Sequence, residues 1–209
     1  STATVATASY FGAGGLVGTN PGTVSQSYAT GAVSGGIEVG GLVGGNGGTV
    51  IQSYATGAVS GGSSGSIGGV PGNATGGLVG ANSGTITQSY ATGTVSDLTG
   101  SGGLVGYDVG SVTSSYWDTQ TSGQTGSGGG AGQTTTQLQT GGLGALGFDA
   151  SVWGGGSNGL YPYLKSFYPN GVQAISGTAY KDAGVTPLAS GANGAADVTV
   201  LAGNSHFGS

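Results

Sequence analysis

One motif recurs four times along the chain, and the register of its copies constrains the fold more than any other feature. GGLVGTNPGTVSQSYATGAVSGG occupies residues 14–36, GGLVGGNGGTVIQSYATGAVSGG 40–62, GGLVGANSGTITQSYATGTVSD 76–97 and GGLVGYDVGSVTSSYWD 102–118. Aligned, they give three apolar or aromatic columns: Leu16, Leu42, Leu78 and Leu104; Val24, Val50, Ile86 and Val112; Tyr28, Tyr54, Tyr90 and Tyr116. Each column steps by 26, 36 and 26 residues, the longer step being one unit plus ten residues inserted within GGSSGSIGGVPGNAT (61–75), whose Gly, Ser and Pro mark a surface loop. Periods of this length signal a repeat architecture.

The unit is too rich in Gly and β-branched residues for helices, since each interior Gly costs about 1 kcal/mol against Ala. Its β-prone pieces, GLVG, GTVSQSYAT and GAVSG, predict three short strands per unit, enough for one coil of a parallel β-helix. Successive coils of such a solenoid lie about 4.8 Å apart, so equivalent side chains stack. The Leu and Val columns are expected to fill the interior, with Val33, Val59 and Val95 as a third ladder and Ala29, Ala55 and Ala91 turned inward where the coil narrows. Gly31, Gly57 and Gly93 are expected at tight corners or positive φ. The Tyr column alternates with Ala and is placed outward, a candidate surface-binding stripe whose alternative is plain packing under a loop. Thr30, Thr56 and Thr92 with Gln26, Gln52 and Gln88 are expected to form uncharged ladders. These either stabilise the stack or present a flat polar face to ice or sugar.

Composition bears on this in two ways. The 52 Gly and 5 Pro among 209 residues resemble low-complexity disorder, yet 35% of residues are hydrophobic, mean hydropathy is +0.10 and only 4% are charged. A disordered chain has no reason to keep Leu, Val and Tyr in register across a ten-residue insertion. The net charge of −5, with Lys165 and Lys181 as the only basic side chains besides His206, argues against nucleic acid and anionic membranes as partners. There is no Cys, hence no disulfide, thiol nucleophile or Cys-based metal site. No apolar run is long enough for a membrane span, and residues 1–20 lack the basic start of a signal peptide. An exported protein would carry that signal elsewhere in a longer polypeptide.

The array is expected to cover residues 1–118, with Val5 as the tail of a preceding coil. Residues 119–142, rich in Gly, Thr and Gln, read as a linker or a continuing coil. Residues 143–171 concentrate Phe148, Trp153, Tyr161, Tyr163, Phe167 and Tyr168 and are expected to cap the open end, LYPYLKSFYP being the candidate. Residues 172–209 read as a small β module or the start of the next domain.

Catalysis finds little footing. The acids Glu38, Asp97, Asp108, Asp118, Asp149, Asp182 and Asp197 share no repeat column, and the array has no Lys or Arg. His206 is the single histidine, which excludes a His-based zinc triad. GGGAGQT lacks the Asp of a nonapeptide calcium repeat, and GAGGLVG recurs without a following helix and so is a turn rather than a dinucleotide site. Asn73-Ala74-Thr75 is a formal N-glycosylation triplet of chance frequency. The reading is no enzyme, with no catalytic residue, no metal and no cofactor.

The pattern GGLVG-N-G-I-x-SYATG-V-G resembles the GLUG motif repeats of large secreted bacterial surface proteins, among them filamentous-haemagglutinin-like exoproteins exported by the two-partner route and IgA-protease-type surface proteins. SYWDTQTSGQTGSGGGAGQTT and LYPYLK look like the segments that close such arrays, and ISGTAYKDAGVTPLASG like a module that follows them. The resemblance implies a right-handed parallel β-helix at the bacterial surface or outside the cell, acting in adhesion, aggregation or biofilm structure. Implied partners are neighbouring modules of the parent chain, further copies in a homo-polymer, or a surface glycan. It supplies no catalytic residues, and the protease branch would need a zinc motif that this sequence lacks.

Overall fold

The repeat unit forms a coil of five short strands where three were expected. In the second coil these are Val39–Gly40, Val43–Asn46, Thr49–Ile51, Tyr54–Ala55 and Val59–Ser60. Two differences make up the count: Val39–Gly40 is a further short strand ahead of Val43–Asn46, and TVSQSYAT breaks in two because Gln26, Gln52, Gln88 and the equivalent Ser114 take left-handed φ of 43°, 51°, 47° and 43°. Such a conformation costs a non-Gly residue about 1–2 kcal/mol. Here it turns the following Ser inward, where Ser53, Ser89 and Ser115 are buried. The computed structural model describes residues 1–6, 12–61, 66–67, 70–71, 74–96 and 101–172; the expected module at 172–209 therefore lies, but for Val172, outside the described residues, as do Asp97, Lys181, Asp182, Asp197 and His206.

Equivalent strands pair in parallel and in register. Val43 lies opposite Val17 and Val79, Val50 opposite Val24 and Ile86, Tyr54 opposite Tyr28 and Tyr90, and Val59 opposite Val33 and Val95. The chain is thus all-β, a parallel β-solenoid with five stacked sheets. Within the inserted stretch Ser66–Ile67 and Val70–Pro71 pair antiparallel with each other, in a sheet separate from the five. Val5 pairs with Val33, so the array does begin with the tail of a further coil.

The columns build two cores. Leu42, Leu78 and Leu104 with Val43, Val79, Val105, Val50 and Ile86 are fully buried in the main one, which also takes Val24, Ala29, Ala55 and Ala91, with Val112 packed at its side. The Leu42 N–H donates to the Leu78 carbonyl at 2.9 Å, so consecutive leucines sit directly over one another. Val33, Val39, Val59 and Ala13 form a smaller second core, with Val5 packed against it. Val95, opposite Val59, is buried too. Leu16, on the first coil, is 44% exposed.

The glycine column stands at bends of the chain, as expected, but takes no positive φ. A Cβ on Gly57 would lie 2.0 Å from the Gly31 carbonyl oxygen, and one on Gly93 1.9 Å from that of Gly57. Close approach of neighbouring backbones excludes a side chain there, while the left-handed corner falls to the Gln column.

Residues 119–133 continue the solenoid. Val95 N–H donates to Ser122 O and Gly103 N–H to Gly126 O, both at 2.9 Å, Ser127 Oγ accepts from Leu104 and Val105 N–H, and Ala131–Gln133 pairs with Tyr116–Asp118. Trp117 replaces the column Ala, and its indole lies where a Cβ on Gly103 would be 2.0 Å from Cδ1, filling the last stretch of the main core. The helix Thr135–Thr140 follows, capped reciprocally by Thr134 and Gln137. Among the described residues no helix is long and apolar enough to cross a membrane.

Candidate functional site

The tyrosine column is the candidate that the structure develops furthest. Because Tyr and Ala alternate and Ala faces the main core, the phenol rings leave the coil on the opposite side and stack along the axis. Tyr28 and Tyr54 have ring centroids 5.1 Å apart at 7°, and Tyr54 and Tyr90 5.2 Å apart at 10°. The row is outward from the coil, but it is not a free surface: Tyr54 is 7% and Tyr90 2% exposed.

What covers it is the aromatic segment that follows the helix. Leu138, Leu146, Phe148, Trp153 and Leu164 form one buried cluster with Tyr54 and Tyr90, and Tyr28, Tyr116 and Tyr161 pack against it. Phe167 meets Tyr28 edge-on at 4.9 Å, Trp153 lies 6.2 Å from Tyr54 and 5.8 Å from Tyr90, and Phe148 lies 5.9 Å from Tyr116. The cap expected across the open end therefore runs along the flank instead, and residues 119–133 with Trp117 cover the end. The physical reason is area: a row of stacked phenols is a long apolar face, and a bulky aromatic segment gains more by burying it than by covering one terminal coil.

The polar tips of the row find partners inside this interface. Tyr90 OH donates to the Pro162 carbonyl at 2.5 Å and Tyr116 OH to the Leu146 carbonyl at 3.0 Å. Burial pushes the hydroxyls of Tyr54, Tyr90 and Tyr116 above the usual phenol range, and that of Tyr161 up to about 12, where the bond to Asp118 adds to burial. Asp118, fully buried, accepts from Tyr161 OH at 2.5 Å, Thr135 Oγ1 at 2.7 Å and the N–H groups of Gln120 and Thr121 at 2.8 and 3.3 Å. One carboxylate thus ties the last strand of the array to the helix and to the aromatic segment. The indole N–H groups of Trp117 and Trp153 are buried with no partner among the described residues, so packing alone holds both rings.

Of the expected polar ladders, the glutamine one is partial: Gln52 Nε2 donates to Gln88 Oε1 at 3.4 Å, and Gln88 Oε1 also accepts from Asp149 N–H at 3.0 Å. Thr30 and Thr56 lie exposed on the outside. Two stronger ladders were not foreseen. Asn20 Nδ2 donates to Asn46 Oδ1 at 2.8 Å, Asn46 Nδ2 to Asn82 Oδ1 at 2.7 Å and Asn82 Nδ2 to Asp108 Oδ1 at 2.7 Å, the three Asn being buried. Beside them the N–H groups of Ser27, Ser53 and Ser89 donate to the hydroxyls of Ser53, Ser89 and Ser115, each at 3.1 Å. Both columns are visible in the aligned copies, but Asn beside Gly reads as turn punctuation until the coils are stacked.

Among the described residues no three His, Asp or Glu side chains come together to hold a metal. The geometry defines a repeat solenoid whose most elaborate chemistry is spent on its own stacking. Residues 71–96 match the GLUG motif family, a stretch that coincides with the third coil. No curated protein and no solved structure matches the chain.

Proposed function

We propose that this chain is a structural, non-enzymatic segment of a secreted bacterial surface protein, a stiff β-helical rod that spaces or presents adhesive modules in cell adhesion, aggregation or a biofilm matrix. The observation that carries this is the apolar core running in register from Val24 of the first coil through Leu42, Leu78 and Leu104, together with the buried Asn and Ser ladders. Such a stack transmits force along many parallel hydrogen bonds at once. The GLUG motif at 71–96 supports an extracellular setting, and four coils plus the closing one span about 20 Å at the usual strand spacing. Antibody labelling of intact cells that express the parent protein tests location: surface staining supports the reading, and signal only after permeabilisation refutes it.

Self-assembly end to end is the second reading. It is favoured by Leu16, 44% exposed on the first coil, and by the strands Val17–Asn20 and Thr23–Ser25, which lie at the edges of their sheets. Scattering that rises with concentration and disappears in a Leu16→Glu variant supports it; an unchanged monomer at high concentration removes it.

A further inference from the structure

Glu38 is the only charged side chain among residues 1–96. Counting back from the paired residues Ala13, Val39 and Thr75, its place in the neighbouring coils is held by Gly12 and Ala74, so the repeat itself has no use for a carboxylate there. Its backbone is held left-handed at φ 52°, and the carbonyl accepts from Ala13 N–H at 3.0 Å. The carboxylate stands over Gly45, where an added Cβ would lie 2.7 Å from Oε2 and meet nothing else but Cδ of the same side chain. It has no hydrogen bond or ion pair among the described residues, although it is half-buried. Burial accordingly pushes its pKa up.

Glu38 overhangs a hollow of about 250 Å³ on the outside of the coil. The hollow follows one column of the stack, Thr19, Gly45, Ala81 and Tyr107, which pair in register and are the most variable residues of an otherwise uniform strand. Small side chains in the two middle coils make the floor, Tyr107 and the exposed Val109 form an apolar wall, and Ser83 contributes a hydroxyl at the rim. An unpartnered, half-desolvated carboxylate accepts from any donor brought to it, so the shape and the apolar wall of the hollow decide among ligands. A divalent cation would need six or more oxygen ligands and a second anionic group, which the lining lacks. A pyranose ring offers the fit: vicinal hydroxyls donate to the carboxylate and the apolar ring face lies on the tyrosine.

We propose that this hollow is a binding site for one neutral hexose residue of a polysaccharide, with Glu38 accepting from adjacent hydroxyls, Tyr107 stacking on the ring and Gly45 leaving the space. It is separate from the tyrosine column, which the aromatic segment covers, and does not depend on the rod role. The test is titration of the whole isotope-labelled chain with glucose, galactose, mannose and their disaccharides, and in parallel with lysine methyl ester, read by amide shifts. Saturable shifts at Gly45, Ala81, Ser83 and Tyr107 with a neutral sugar are expected. Affinity should fall at least tenfold in Glu38→Ala and Tyr107→Ala and vanish in Gly45→Leu, all three retaining the native spectrum elsewhere. Absence of shifts there with every sugar, shifts only with the amine, or unchanged affinity in Glu38→Ala overturns the proposal. Where a variant does not fold, the map of shifts on the natural chain decides alone. Surface labelling of cells tests the rod reading separately, so the two fail independently.

Discussion

Asn46 shows how a single side chain holds three coils. It accepts from Asn20, donates to Asn82 and also donates to the carbonyls of Gly48 and Thr85 at 3.3 and 3.4 Å. Asn46→Ala leaves buried polar atoms on both neighbours short of a partner and is expected to cost about 2–3 kcal/mol in denaturant unfolding. Gly57→Ala forces a Cβ against the Gly31 carbonyl at 2.0 Å and should destabilise by more than about 1 kcal/mol, the reverse of the usual effect of removing a glycine. At this scale the sequence was only half legible. Leu, Val and Ala declare their side by being apolar, whereas Asn20, Asn46, Asn82 and the Ser column are buried only because the coil above satisfies them, a condition no single copy of the repeat displays.

Among the elements, the aromatic segment and the array hold each other through phenols kept neutral. The hydroxyls of Tyr54, Tyr90, Tyr116 and Tyr161 all titrate above their ordinary value of 10 in the folded chain, Tyr161 at about 12. A group whose folded pKa is raised contributes stability that is complete below its unfolded pKa and lost as pH climbs through the folded one. Stability should thus be flat up to about pH 10 and fall as pH rises further, through the folded value of Tyr161 at about 12 and on beyond it for Tyr54 and Tyr90, with tyrosinate absorbance appearing together with loss of near-UV dichroism. Tyr161→Phe removes one of four bonds to the buried Asp118 carboxylate and should cost about 1.5–3 kcal/mol in the same unfolding experiment. The composition of 143–168 announced a covering segment, but its target is set by the apolar area of the stacked tyrosines, which exists only after the coils are aligned.

For the whole molecule, cost should vary along the axis. Leu78→Ala, between two buried leucines, is expected to lose about 2–5 kcal/mol, while Leu16→Ala, 44% exposed, should lose well under half of that. Four extra copies of residues 76–101 inserted after position 101 should lengthen the particle by about 19 Å in solution scattering, since each adds one strand spacing. The same arithmetic was readable from the 26-residue step alone, which is why the architecture was legible before any side-chain detail. The asparagine ladder adds a direction to this growth. Every amide donates toward the fourth coil, where Asp108 accepts and offers no N–H in return, so a coil placed ahead of Asn20 can donate to Asn20 Oδ1, whereas one placed beyond Asp108 meets acceptors alone and no amide to continue the ladder. Gene duplication can therefore elongate such an array from within or from its leading side, while its trailing side carries a full stop written in a single oxygen-for-nitrogen exchange.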